Sequence, residues 1–214
     1  MRMEVQQDYT LATPKPALSI NPARVLIIGA GSRGNAYAKA VVKSTNGLVA
    51  AVADPLTFKR QLLGSKYIWK DGSPREDQEF NDWREFIAYE HSRRARAIRG
   101  DNVPVGVDGV FVCTLDETHA EVITALAPLH LHIMSEKPLA TTLQDCLSIR
   151  RALSPDGPTA PPTSIFAIGH VLRYSPHNML LRKLMLQDEL IGEIISMEHT
   201  EPVGWWHFAH SYVR

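Results

Sequence analysis

The sequence predicts an α/β fold built on a doubly wound parallel sheet, and three observations predict it. Short unbroken runs of Val, Ile, Leu and Ala recur along the chain, from Arg24-Val25-Leu26-Ile27-Ile28 to Ser164-Ile165-Phe166-Ala167-Ile168. Such runs suit strands buried on both faces, as in a parallel sheet. Helix-like stretches alternate with them, as the crossovers of a parallel sheet require. Polar residues capable of chemistry follow the runs directly, at the strand ends where open α/β sheets collect ligands.

Taken in order, residues 1–22 read as a polar tail with Pro14, Pro16 and Pro22 and no period. The first strand, Arg24 to Ile28, runs into Gly29-Ala30-Gly31-Ser32-Arg33-Gly34. An alanine-rich helix, Asn35 to Lys43, leads to a second strand, Leu48 to Ala53, which ends in Asp54-Pro55. Residues 64–106 are long for one connection. Within them Asp82 to Ile98 reads as an amphipathic helix, with Trp83, Phe86, Ile87 and Glu90 on neighbouring turns. The cluster His91 to Arg96 reads as a solvated cationic face near that helix's C-terminus. Val107 to Cys113 is the next strand, followed by the polar loop Thr114 to His119 and a helix, Ala120 to Ala127. Leu131 to Ser135 is a strand that delivers Glu136-Lys137-Pro138, and Thr141 to Leu153 is a helix. After a turn-rich connection, 154–163, come the strand Ser164 to Gly169 and a helix, Pro176 to Leu190, with Gly192 as its C-cap. Glu193 to Glu201 reads as a strand, and the final stretch is aromatic, with Trp205, Trp206, Phe208 and Tyr212.

Length and composition exclude several classes. A chain of 214 residues holds one full domain and part of another. With 44% hydrophobic and 21% charged residues it is not a disordered chain. Lys+Arg and Asp+Glu are both 23, so there is no basic footprint of the kind nucleic-acid binders carry. No apolar stretch approaches the roughly 20 residues of a membrane helix. The first ten residues, MRMEVQQDYT, contain no apolar core of a signal peptide, so a cytoplasmic location is expected. Cys113 and Cys146 suit neither a disulfide framework nor a zinc site, and read as reduced thiols. His199, His207 and His210 lack an acid or cysteine at metal-ligand spacing, so no metal is expected.

Strand, G-x-G-x-x-G turn, helix, strand and acid within about 30 residues form the βαβ unit of a Rossmann-type dinucleotide-binding domain. The first glycine, Gly29, permits the tight turn; Gly31 lets the backbone approach a pyrophosphate; Gly34 lets the helix pack on the strand. Ser32 and Arg33 lie in the turn before the helix, whose N-terminus presents N–H groups to the phosphates. Asp54 is placed to accept the ribose hydroxyls and to repel a 2′-phosphate, which favours NAD. Lys59 and Arg60 close by keep NADP open. The glycine turn, Asp54, Thr114 and Glu136-Lys137 all fall at strand carboxyl ends, which argues for one site.

With these motifs, Thr114 to His119 and the segment Gly169-His170-Val171-Leu172-Arg173-Tyr174-Ser175-Pro176, the chain resembles the Gfo/Idh/MocA oxidoreductases over about residues 24–200. The resemblance implies a Rossmann domain over 23–155, then an incomplete C-terminal α+β substrate and oligomerisation domain over 156–214. It implies an NAD(P)-dependent enzyme that transfers a hydride to or from a hydroxyl or carbonyl carbon of a small, sugar-like substrate, and a homo-oligomer. In that pattern Lys137 is the catalytic lysine at the reacting oxygen. Glu136 lies near the cofactor ribose, Thr114 and His119 border the cofactor, and Arg173 and Tyr174 belong to a segment that approaches the nicotinamide or the substrate. Pro138 suits a cis bond. The family's second-domain histidine motif has no match after Arg173, where His207 and His210 stand in a different context. The alternative is therefore a non-catalytic NAD-binding regulator or an inactive short family member.

Overall fold

A computed structural model describes residues 18–154, 157 and 164–211. Most of the expected tail, most of the 154–163 connection, and Tyr212 lie outside the described residues. The chain divides into two compact units, with the division falling after His170.

The first unit is a six-stranded sheet: β1 (Arg24–Ile28), β2 (Leu48–Ala53), β3 (Glu79–Phe80), β4 (Gly109–Val112), β5 (His132–Ser135) and β6 (Phe166–Ile168). Their order is β3-β2-β1-β4-β5-β6. Every pairing is parallel. Chain order reverses between β1 and β4, and that switch point is where doubly wound sheets hold ligands. β6 pairs with β5 through Ile133–Phe166, Met134–Ala167 and Ser135–Ile168. The sheet therefore continues past the expected domain boundary at 155, and the unit ends at His170.

The unbroken apolar runs are explained by alternation across the pleat. Leu26, Ile28, Ala51, Ala53, Val110, Val112 and Ile133 face one side, with Phe86, Val122, Ile123, Leu126 and Ile149 packed over them. Ile27, Val49 and Val52 face the other, with Ala38 and Leu63. The first layer comes from α3 (Trp83–Ile98), α4 (His119–Leu126) and α5 (Leu143–Leu153). The second comes from α1 (Ser32–Ser44) and α2 (Thr57–Tyr67). Each Leu or Ile buried in these layers contributes about 1.5–3 kcal/mol.

Capping sets where helices begin. Asp82 accepts from the N–H groups of Arg84 (2.8 Å) and Glu85 (3.0 Å) at the start of α3. Thr142 accepts from Asp145 N–H at the start of α5. Each cap satisfies a donor that the first helical turn leaves free. The cationic cluster on α3 is less solvated than expected. Glu90 is 1% exposed and accepts from Arg93 through both oxygens at 2.7 Å and from Arg94 at 2.7 Å. Arg94 also donates to the Leu129 carbonyl. Two of the cluster's cations are thus partners of a buried carboxylate.

The second unit, described over 171–211, holds a 3-10 turn at 171–174, α6 (Pro176–Arg182), a π-helical turn at 183–187, and α7 (Trp205–Ser211). The helix expected over 176–190 ends at Gln187, and Gly192 (φ +71°) stands in a later turn, not at the helix cap. The strand expected over 193–201 does not form, since that segment pairs with no strand.

Candidate functional site

The site begins where β1 ends. Gly29 has φ +93°, and its N–H donates to the Ala53 carbonyl at 2.8 Å. A Cβ there would overlap the Cys113 carbonyl. Gly34 brings α1 against the turn, because a Cβ at 34 would overlap the Gly29 carbonyl oxygen. Gly31 differs from both. It is the N-cap of α1, no side chain caps it, and a Cβ built there meets nothing within 4 Å. No acid stands in the first turn, and Ser32 and Arg33 are exposed on it. The arrangement is an uncapped helix N-terminus facing open space with a cation beside it, which fits a pyrophosphate. Asn35 braces the turn from within, donating to the carbonyls of Ala30 (2.9 Å) and Gly31 (3.0 Å).

Asp54, at the end of β2, is 6% exposed. Its Oδ2 accepts from Ala30 N–H at 2.7 Å and its Oδ1 from Leu56 N–H at 2.8 Å. The acid ties the glycine turn to the β2 end. Each oxygen keeps a further lone pair for a ribose hydroxyl. Arg60 is committed elsewhere. It is 6% exposed and donates to the Asp54 carbonyl (2.6 Å) and to Glu79 (3.0 Å). The guanidinium read from sequence as a partner for a 2′-phosphate is thus locked into the α2–β3 packing.

Two further strand ends close the site. After β4, Thr118 Oγ1 lies 2.8 Å from Thr114 Oγ1. His119, the first residue of α4, has no exposed surface. Its Nδ1 lies 2.8 Å from the Pro138 carbonyl and its Nε2 3.3 Å from the Thr114 carbonyl. The ring therefore sits beneath both loops and ties one to the other. After β5, Glu136 is 6% exposed while Lys137 is exposed, and the Lys137–Pro138 peptide is cis. One Glu136 oxygen accepts from the Tyr37 phenol at 2.5 Å, and the other faces Lys137 N–H at 3.3 Å. Burial and the bond to Glu136 hold the Tyr37 phenol far above its ordinary range. Burial, with the Glu136 charge adding to it, pushes the Cys113 thiol up to about 12.

All the sequence-predicted site residues except Arg173 and Tyr174 belong to the sheet unit; those two lie on the 171–174 turn of the other unit. Gly29, Gly31, Ser32, Arg33, Gly34, Asp54, Thr114, His119, Glu136 and Lys137 all stand at or just beyond the carboxyl ends of β1, β2, β4 and β5. Sequence reasoning missed Tyr37, Asn35 and the inward commitment of Arg60. Only Asn35 had a local signal, since an amide beside a glycine turn is able to bond its carbonyls. A separate apolar cavity of about 860 Å³ is lined by Leu139, Cys146, Ile149, Leu153 and Phe166, and none of the predicted site residues lines it. Among the described residues no three His, Cys, Asp or Glu side chains gather as a metal site, and no helix is long and apolar enough to cross a membrane.

A doubly wound sheet with an uncapped glycine turn at its switch point and an acid closing the next strand defines a dinucleotide-binding domain. The Gfo/Idh/MocA profile, described as an oxidoreductase family with an NAD-binding Rossmann fold, matches residues 23–158, and the chain belongs to that family. Inositol 2-dehydrogenase of Rhizobium meliloti is 26% identical over 171 residues, covering 78% of this chain and 42% of that protein. The 2,7-anhydro-N-acetylneuraminate hydratase of Escherichia coli is 33% identical over 99 residues, covering 46% of this chain and 24% of that protein. The chain thus spans well under half the length of these relatives. Among solved structures, myo-inositol 2-dehydrogenase from Lactobacillus plantarum superposes with a TM-score of 0.63 at 18% identity, covering 82% of this chain and 44% of that one. Scyllo-inositol dehydrogenase from Lactobacillus casei, with bound NAD(H) and scyllo-inositol, gives 0.61 at 15% identity, covering 81% and 43%. At such identities these likenesses establish the fold.

Proposed function

We propose that the sheet unit binds NAD(H) across its switch point and that the chain serves hydride transfer at a hydroxyl-bearing carbon of a small, sugar-like polyol. The observation that carries this reading is the convergence of the open Gly31 turn, Asp54, Thr114 and the exposed Lys137 on the carboxyl ends of β1, β2, β4 and β5. The first N–H groups of α1 and the Arg33 cation hold the pyrophosphate. Asp54 accepts from the adenosine ribose and disfavours a 2′-phosphate there. NAD, when bound, supplies the hydride acceptor.

Lys137 is the catalytic residue in this reading. Its side chain meets the substrate hydroxyl, takes the proton as the carbinol carbon is oxidised, and as an ammonium returns it in the reverse direction. Glu136 holds the loop that carries Lys137. A polyol substrate is supported by the inositol dehydrogenases among the relatives.

Titration of the chain with NADH and NADPH, followed by nucleotide fluorescence and melting, tests this. At 100 times the Kd a ligand of the folded state adds about 2.7 kcal/mol. NADH is expected to raise Tm by about 5–10 °C, with NADPH weaker. Stabilisation by neither nucleotide overturns the reading. Stabilisation, then NAD reduction with inositols that is abolished by Lys137→Ala, completes it. Stabilisation without turnover returns the alternative of a non-catalytic NAD-binding protein.

A further inference from the structure

We propose that Tyr37 is a positioning residue: by donating its phenol proton to Glu136 it fastens the loop that carries Lys137 to the helix that follows the glycine turn. The inference rests on the reading of Lys137 given above. It assigns a role to a side chain from the middle of α1, 99 residues away from its partner in sequence.

Four observations carry it. The Tyr37 hydroxyl donates to Glu136 Oε1 at 2.5 Å. The ring is held from behind by Phe111 of β4, stacked at 5.3 Å between centroids and 23° between planes. The pair is roofed by Gly169, where a Cβ would stand 2.8 Å from the Tyr37 oxygen and 3.1 Å from Glu136 Oε1. Gly169 is pinned there by its N–H bond to the Ser135 carbonyl at 2.8 Å. Finally, Glu136 Oε2 faces the Lys137 N–H, so the carboxylate reaches the tyrosine on one side and the lysine backbone on the other.

The consequence is geometric. Lys137 is exposed, yet the residues on both sides of it are held. Glu136 is held by Tyr37 from α1, and the Pro138 carbonyl by His119 from α4. Placement of a proton-transferring group to within about 0.5 Å requires such support. Through Tyr37 the support reaches α1, the helix whose first turn faces the pyrophosphate. The two halves of the reaction, cofactor phosphates and substrate oxygen, are thereby referenced to one helix. A phenol donating to a buried carboxylate forms a strong charge-assisted bond. Burial and Glu136 both disfavour phenolate at Tyr37, so the donor keeps its proton.

The test is amide hydrogen exchange at Lys137 in the full chain, by NMR, for Tyr37→Phe, Glu136→Ala and the double variant. Tyr37→Phe keeps the Phe111 stack and loses only the hydroxyl. It is expected to speed exchange at Lys137 about tenfold, the size of one hydrogen bond to a charged group, with Ile27 and Val110 unchanged. In the Glu136→Ala background, where position 136 has no acceptor for the phenol, the same change is expected to add less than twofold, because the two residues act as a unit. Gly169→Ala crowds the pair from the opposite side and gives the same local readout should Tyr37→Phe fold poorly. Unchanged Lys137 exchange, or acceleration spread evenly over the core strands, overturns the proposal. In an enzyme turning over polyol, Tyr37→Phe is expected to lower kcat at least tenfold with KM for NAD within twofold; an unchanged kcat also overturns it. A wild-type chain without turnover defeats the reading of Lys137, while the exchange measurement still decides whether Tyr37 fastens the loop.

Discussion

Replacing Asp54 separates its structural work from its nucleotide work. Its carboxylate receives two backbone N–H groups, Ala30 in the glycine turn at 2.7 Å and Leu56 at 2.8 Å. Hydrogen bonds to a charged group are worth about 1.5–3 kcal/mol each. The Ala30 bond is buried and keeps that value. Leu56 is exposed, so water replaces much of its bond, leaving up to about 1 kcal/mol there. Asp54→Ala should therefore cost about 1.5–4 kcal/mol. For a protein of this size that is a fall in Tm of about 3–16 °C, still within the 5–15 kcal/mol that domains typically hold. Asp54→Asn keeps a carbonyl for Ala30 N–H but offers an amide N–H₂ toward Leu56, so its loss should be about 1–2 kcal/mol. The assay is thermal melting of both variants at neutral pH without nucleotide, followed by NADH titration. The expected order of stability is wild type, Asn, Ala. An Asp54→Ala variant that melts within about 1 °C of wild type would falsify the view that this acid anchors the turn, even if NADH binding were lost.

Three other perturbations follow from the same geometry. Gly34→Ala places a methyl group on the Gly29 carbonyl, so α1 must withdraw; calorimetry should show a loss of about 1–3 kcal/mol together with weaker NADH binding. Burial raises the Glu90 carboxyl pKa, but the bonds from Arg93 and Arg94 outweigh it and hold the carboxyl below the usual range. Its stabilisation is present above the unfolded carboxyl value, near 4.5, and lost as pH falls through the lower folded value. Melting from pH 6 down to 3 should fall more steeply for wild type than for Glu90→Gln, which is less stable at pH 7 by about 2–4 kcal/mol. At the alkaline end Cys113 (ordinarily 9.0) and Tyr37 (ordinarily 10.0) both have raised folded values. Their contribution is complete below pH 9 and declines as pH climbs through the folded values. The slope is about 1.4 kcal/mol per pH unit for each group, and Cys113→Ala should flatten the limb between pH 9 and 12.

The parts legible in the sequence are those whose signal is local. Strands β2 and β4, and β1 after Arg24, announce themselves because burial on both faces leaves no polar position in the run, and β5 and β6 show as short apolar runs beside polar residues. The helix starts expected at Asp82 and Thr141 fall within a residue or two of α3 and α5, whose caps Asp82 and Thr142 are short side chains with an acceptor oxygen. By contrast α2 was not anticipated: Leu63 is its only fully buried apolar side chain, while Phe58 and Leu62 are exposed, so no apolar stripe shows. β3 is two residues long and exists by pairing with Val52 and Ala53. The site divides in the same way. Its glycines and acids are read from spacing, because a tight turn and a phosphate impose them on neighbouring positions. Tyr37 is not, because what makes it matter is Glu136 at a sequence distance of 99 residues. Arg60 shows the converse, since only the fold reveals that Glu79 and the Asp54 carbonyl have already claimed its cation.

The segment 193–201 makes the dependence of strands on neighbours explicit. Its partial alternation matches a strand, yet Ile195 is 96% exposed and Met197 69% exposed, and no ladder forms. An apolar alternation states what a segment would bury; the hydrogen bonds that make it a strand belong equally to its neighbour. β6 is the contrast within the same chain. It is only three residues long, but it finds β5 alongside and joins the sheet. Hydrogen exchange measures the difference directly. Amides over 193–201 should exchange at nearly the free-peptide rate, while those of β1 and β4 should be protected to the level of global unfolding. Protection over 193–201 that grows with protein concentration would mean that a second copy supplies the missing edge. Protection independent of concentration would mean that the segment finds a ladder within its own chain, and the account of why the expected strand does not form would be wrong.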